Sequence, residues 1–283
     1  MTLIPLRAAV AALALATLGG CSTDRLIARG ASPLIVHGVA AMNHETDLEL
    51  ARASIPANLK MVEALLLADP DNGDYRIQAA MGFHGYALGF VEADDRARAA
   101  GLYARAREHA LAALGVDPEA PSEAFAAALA RLDRRAVPAL FWSASSWAKW
   151  IEMQLDDPAR LAELPRVEAL MRRVLELDER YYFGGAHLFF GVYYGARAPM
   201  FGGDYTRAQQ HFERAAELSG KQLLLVDVYR AKYLLRQMGD REGFHAALEG
   251  VLAAAPSNPE LNLANALARR EAAALLADEE TLF

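Results

Sequence analysis

From residue 204 to 219 the apolar positions Tyr205, Ala208, Phe212 and Ala215 recur at i, i+3, i+7 and i+10, opposite Arg207, Gln210, Glu213, Arg214 and Glu217. That period belongs to an amphipathic helix with one face toward a core. Read along the chain between its caps and prolines, the same pattern predicts helices near 46–54, 56–68, 73–92, 95–114, 122–134, 137–154, 165–178, 181–196, 204–219, 222–238, 240–255 and 258–277. Thr46-Asp47-Leu48-Glu49 and Ser257-Asn258-Pro259-Glu260 have capping-box spacing. Pro56, Pro121 and Pro165 sit where a first helical turn tolerates a missing N–H. Asp204 and Asp240 each follow a glycine and suit an N-cap.

The helices fall into antiparallel pairs. In 189–218, Gly191 and Tyr194 suit the first helix of a tetratricopeptide-type pair, where a small residue admits the partner helix closely, and Ala208, Phe212 and Ala215 suit the second. The turn between them carries about five residues more than a standard repeat, at Arg197-Ala198-Pro199-Met200-Phe201. A second pair spans 222–255 with Tyr229, Tyr233, Phe244, Leu248 and Val251, and a third spans 73–114 with Gly85, Tyr86, Tyr103 and Ala106. Stacked pairs bury a continuous core. The expected fold is therefore all-α, a tetratricopeptide-like solenoid or curled helical bundle forming one domain over 33–283.

Composition agrees with this reading. Ala and Leu make about a third of the 283 residues, whereas Val, Ile and Thr make under a tenth, too few for a substantial sheet. The net charge of −7 lacks the basic footprint of a nucleic-acid binder. The single cysteine forms no intrachain disulfide, and its place near the start of the chain is informative. Arg7, an apolar run over 8–16 and Leu18-Gly19-Gly20-Cys21 have the layout of an export signal, too short to span a bilayer. Leu18-Gly19-Gly20-Cys21 resembles a bacterial lipobox, so residues 1–20 read as signal peptide, Cys21 as the lipidated residue and 21–32 as a tether. Ser22 after the cysteine favours the outer membrane.

Chemistry is sparse. No two of the seven histidines lie three or four apart, and no phosphate-loop, nucleophile-elbow or dinucleotide motif occurs. The sequence gives no reason to expect an enzyme, a metal or a cofactor. Aromatic residues, by contrast, crowd two helices. Trp142, Trp150 and Trp147 fall at about 0°, 80° and 140° at ~100° per residue, broader than one packing seam. Tyr193 and Tyr194 end the second aromatic run, next to the enlarged turn with Arg197, Met200 and Phe201. A methionine and a phenylalanine supply an adaptable apolar rim, and an arginine can meet a carboxylate in bidentate fashion. Trp142, Trp147, Tyr193, Tyr194, Arg197, Met200 and Phe201 are thus the candidate ligand or partner residues.

Several stretches read in order resemble one family, the T-components of tripartite ATP-independent periplasmic (TRAP) transporters. They include Leu102-Tyr103-Ala104-Arg105-Ala106-Arg107-Glu108-His109-Ala110-Leu111, Trp142-Ser143-Ala144-Ser145-Ser146-Trp147, Leu188-Phe189-Phe190-Gly191-Val192-Tyr193, Gly202-Gly203-Asp204 and Leu261-Asn262-Leu263-Ala264-Asn265. The resemblance implies a periplasmic lipoprotein of tetratricopeptide-like helices that forms trimers, engages the extracytoplasmic solute-binding protein and contains an apolar channel or cleft. It also implies a small apolar or amphipathic organic anion as cargo. The alternative is a general envelope adaptor that holds protein or peptide partners in a solenoid groove.

Overall fold

The computed structural model describes residues 23–255 and 258–283, so Cys21, the signal peptide expected over 1–20 and Ser257 lie outside the described residues. The described residues are all-α, without strands. The helices are α1 (Ser32–Asn43), α2 (Leu48–Ala68), α3 (Gly73–Phe90), α4 (Arg96–Leu114), α5 (Ser122–Ala130), α6 (Val137–Glu152), α7 (Leu164–Asp178), α8 (Tyr181–Gly195) and α9 (Tyr205–Leu218). After these, α10 combines Leu225–Arg230, a π-helical turn Ala231–Leu235 and Arg236–Met238, and is followed by α11 (Arg241–Ala253) and α12 (Asn262–Ala277).

Helices α3, α6, α8, α10 and α12 form an inner layer backed by α4, α7, α9 and α11. Each inner helix touches the next. Phe141 of α6 packs where Gly185 of α8 has no side chain, and the Gly195 Cα approaches the Tyr233 carbonyl so closely that a Cβ there would lie 2.8 Å from the oxygen. At the helix starts, the Leu224 N–H donates to Asn265 Oδ1 at 3.0 Å, and further along Lys232 meets Glu271 at 2.6 Å, which ties α10 to α12. Arg270 and Leu267 of α12 then reach Gly89 of α3, one through its carbonyl and the other through the space of a missing Cβ. The inner layer thus closes into a ring. Asp74, Pro138 and Tyr181, near the starts of three inner helices, share one end of it, so the helices run in one direction.

Several boundaries differ from the sequence reading. Helices expected at 46–54 and 56–68 are one helix with Pro56 inside it. A mid-helix proline costs about 3 kcal/mol, but Ala51, Ile55, Leu59, Val62 and Leu66 form one uninterrupted buried stripe that holds the two halves in line. Asp47, not Thr46, caps that helix, accepting from the Glu49 and Leu50 N–H groups. The helix expected to 134 stops at Ala130 and yields to a 3₁₀ turn capped by Asp133. Helix α1 had no sequence expectation.

Residues 23–30, expected as part of a tether, are helical instead. Ala28 is buried and its carbonyl accepts from the Tyr75 hydroxyl, while Arg25 and Arg29 converge on the buried Asp69. Hydrogen bonds from the two arginines outweigh desolvation and lower the Asp69 pKa to about 2. The folded value is depressed, so this stabilisation is complete above the unfolded carboxylate's pKa of about 3.9 and is lost as pH falls from there through about 2. Hydrogen exchange over residues 23–43 should accelerate in that window before the rest of the chain responds, and Asp69→Asn should reproduce the effect at neutral pH. Exchange over 23–43 that keeps pace with the rest of the chain across that window would contradict the assignment.

Candidate functional site

At the end of the ring where the inner helices start, α1 lies across a cavity of about 310 Å³ lined by Ile35, Val36, Ile77, Pro138 and Tyr181, with Ser32, Asp74 and Gln78 as polar members. The Oε1 atom of Gln78 is buried without a hydrogen-bond partner, and an unmet buried acceptor costs about 1–3 kcal/mol. Burial pushes the Tyr181 hydroxyl pKa up to about 12.

Beside this cavity the backbone is strained. Tyr182, Phe183 and Gly184 have φ of 49°, 57° and 78°, three consecutive left-handed residues of which two are aromatic. Such conformations cost of order 1–3 kcal/mol each and persist only where the surroundings impose them. Here Gly184 fits because a Cβ would lie 3.0 Å from Leu218 Cβ, and Tyr182 is held between Phe141 and Trp142 at ring-centroid distances of 5.4 and 5.0 Å. Tyr182 is 42% exposed, and desolvation raises its hydroxyl pKa.

The opposite end of the ring is polar. Lys149 Nζ donates to Glu92 at 2.7 Å and to Glu152 at 2.8 Å. Glu92 also accepts from the Tyr103 hydroxyl, and Glu152 from the Tyr233 hydroxyl at 3.1 Å. With Lys232–Glu271 and Arg270–Gly89, these contacts form a closed circuit through α3, α6, α10 and α12. Burial pulls the Lys149 pKa down, but the two carboxylates outweigh it and hold the ammonium above its ordinary value. Burial likewise pushes Glu152 up, and Lys149 with Lys232 brings it below its usual range. The π-helical turn carries both Lys232 and Tyr233 into the circuit, a use to which such turns are often put. Desolvation raises the Tyr229 and Tyr233 hydroxyls well above the ordinary phenol value.

The sequence-derived candidates divide among three places. Trp142 is buried against Tyr182 and His84 beside the apolar cavity. Trp147 is buried, donates Nε1–H to Glu163 at 2.6 Å and lies under the Arg107 guanidinium at 4.0 Å. Tyr193 donates to Glu168 at 2.8 Å, and Tyr194 stacks on Phe190 and His211. Arg197 folds back over the Tyr193 ring at 4.0 Å, and its Nε donates to the Tyr193 carbonyl at 3.0 Å. That clamp satisfies the end of α8 and leaves Met200 and Phe201, 82% and 70% exposed, at the tip of the loop. The loop is held firmly: Asp204 N–H donates to the Tyr194 carbonyl at 3.0 Å, and Gly203 packs where no Cβ fits against the Arg197 carbonyl. It leaves α8 at the polar end of the ring, next to Gly195 and Tyr233.

A shallower recess of about 490 Å³ is bounded by Arg241, Glu242, His245 and Glu279. Glu279 already pairs with Arg241 and His245 at 2.6 and 2.7 Å, so this is an ion-paired surface cluster.

Sequence reading did not find the polar circuit, because its members lie on four helices. One signal was present: Lys149 is the only ionised residue between Val137 and Ile151, in a chain with four lysines, and Lys232 is another of the four. Tyr182 had no signal, since a left-handed aromatic depends on tertiary packing.

Comparison with known proteins gives two findings. A protein of Treponema pallidum (strain Nichols) described as uncharacterized is 26% identical over 262 residues, covering 84% of this chain and 81% of its own. Residues 44–283, which include both ends of the ring and the loop, match the TRAP transporter T-component family. The chain belongs to that family, an accessory component of TRAP transport.

Proposed function

We propose that this protein is a periplasmic lipoprotein, anchored through Cys21 to the outer membrane. In this reading it holds a small ligand in the cavity beneath α1 and exchanges it with the solute-binding protein of a TRAP system docked on the Met200–Phe201 loop. It works as a homo-oligomer, a trimer by family resemblance. The observation that carries the ligand part is the cavity beneath α1, beside the strained Tyr182–Gly184 segment. An apolar recess with few convergent polar groups is the usual form of a small-molecule site.

The cavity also refines the ligand class. Its lining includes Asp74 and no basic side chain. An organic anion would meet a like charge there, which favours a neutral molecule. Native mass spectrometry of the purified protein should therefore show a neutral apolar adduct. Val36→Glu, which adds a charge at a half-exposed wall position, should remove the adduct with little change in melting temperature. A ligand that stays bound in the variant would place the site elsewhere.

A further inference from the structure

The helical segment 23–43 has two contrasting faces. One docks on the body through Ala28, Ile35, the Arg25 and Arg29 contacts to Asp69, and Asn43 and His44 against Glu260. The other carries Leu26, Ile27 and Leu34, which are 72%, 67% and 73% exposed. Ala31, between the two helical stretches, has φ −79° and ψ −10°, so the right-handed path continues through it. At ~100° per residue, Leu26, His37, Gly30, Ala41, Leu34 and Ile27 share an arc of about 100° on which no Asp, Glu, Lys or Arg falls. The docked Ala28 and Ile35 lie roughly opposite.

We propose that this outer arc lies on a lipid bilayer, with Leu26, Ile27 and Leu34 at the boundary between headgroups and acyl chains. The inference rests on the lipid-anchor reading of Cys21. Cys21 precedes Leu26 by five residues, at most about 18 Å of extended chain, so acyl chains on it hold a membrane surface within reach of the arc. A helix with one apolar, uncharged face beside such an anchor is the form of an interfacial segment, and its buried apolar area adds to the hold of the acyl chains. The segment lies outside the part of the chain that matches the family, which begins at residue 44. Because α1 also roofs the cavity through Ile35 and Val36, this placement sets that end of the ring beside the lipid.

The test uses the full chain, processed in cells and reconstituted in phosphatidylethanolamine–phosphatidylglycerol vesicles. Cys21 is the sole cysteine and its thiol is blocked once acylated, so a nitroxide attaches only at an introduced Leu26→Cys, Leu34→Cys or, as an aqueous control on α9, Gln210→Cys. The expected result is preferential collision with oxygen at 26 and 34 and with a water-soluble nickel chelate at 210. With the acyl group confirmed by mass, equal nickel access at all three positions overturns the membrane face alone. Spin–spin broadening at 34 that dilution with unlabelled protein removes assigns the arc to a second copy and also overturns it. A mass showing no acyl group overturns the anchor reading together with this one.

Discussion

Trp147→Ala is expected to destabilise the protein by about 3–5 kcal/mol, the range for truncating a fully buried large aromatic, and to lower its melting temperature by on the order of 10 °C. The indole fills the core between α6 and α7, and its loss leaves Arg107 with only the Trp150 ring and Glu163 with only Arg160. Trp147→Phe keeps much of the volume and a cation–π face but not the donor, and should recover more than half of the loss. Thermal unfolding followed by circular dichroism measures both. An alanine variant that melts with the wild type while losing partner binding would make Trp147 a contact residue and not a core one.

Lys149→Met is expected to cost a similar amount for an electrostatic reason. Removing the ammonium leaves Glu92 and Glu152 facing each other in a recess where Glu152 keeps only 32% of its side-chain exposure, and breaking a buried pair from one side costs about 3–5 kcal/mol. Because the circuit joins α3, α6 and α10, the loss should also quicken hydrogen exchange at the π-helical turn. Adding Glu92→Gln and Glu152→Gln to Lys149→Met should restore most of the stability, since neutral amides can replace the network without an unpaired charge. A single variant within about 1 kcal/mol of wild type would mean that the three groups are separately hydrated and that no circuit closes the ring.

Local rules made much of the fold legible. Asp204 and Asp240 each cap the segment they were expected to start, whereas at 258–261 the cap is Asn258 and not the first residue of the capping-box spacing. Phe212 packs into the space left by Gly191, where a Cβ would lie 2.8 Å from the ring, so the small-residue reading of the α8–α9 pair follows from contact between the two helices. Sequence rules misplaced Pro56, because a stripe of five buried residues outweighs one missing N–H. They also passed over α1, whose apolar residues lie on two faces and show no single stripe. Ring closure depends on Gly89 meeting residues about 180 positions later, a contact to which no local pattern points. The candidate site divided in the same way. The enlarged loop was visible as an insertion, whereas the cavity and the polar circuit arise only when helices distant in sequence share an interior.

In the proposed function, Met200 and Phe201 form the surface on which the transport system's solute-binding protein docks. A photoreactive benzoylphenylalanine at position 201, in cells carrying the whole system, tests it directly, with the same group at the exposed Glu123 of α5 as control. Illumination should yield an adduct with the solute-binding protein from position 201 and none from 123. Absence of the adduct at 201, together with wild-type transport by a Met200→Ser/Phe201→Ser variant, would rule out docking on this loop.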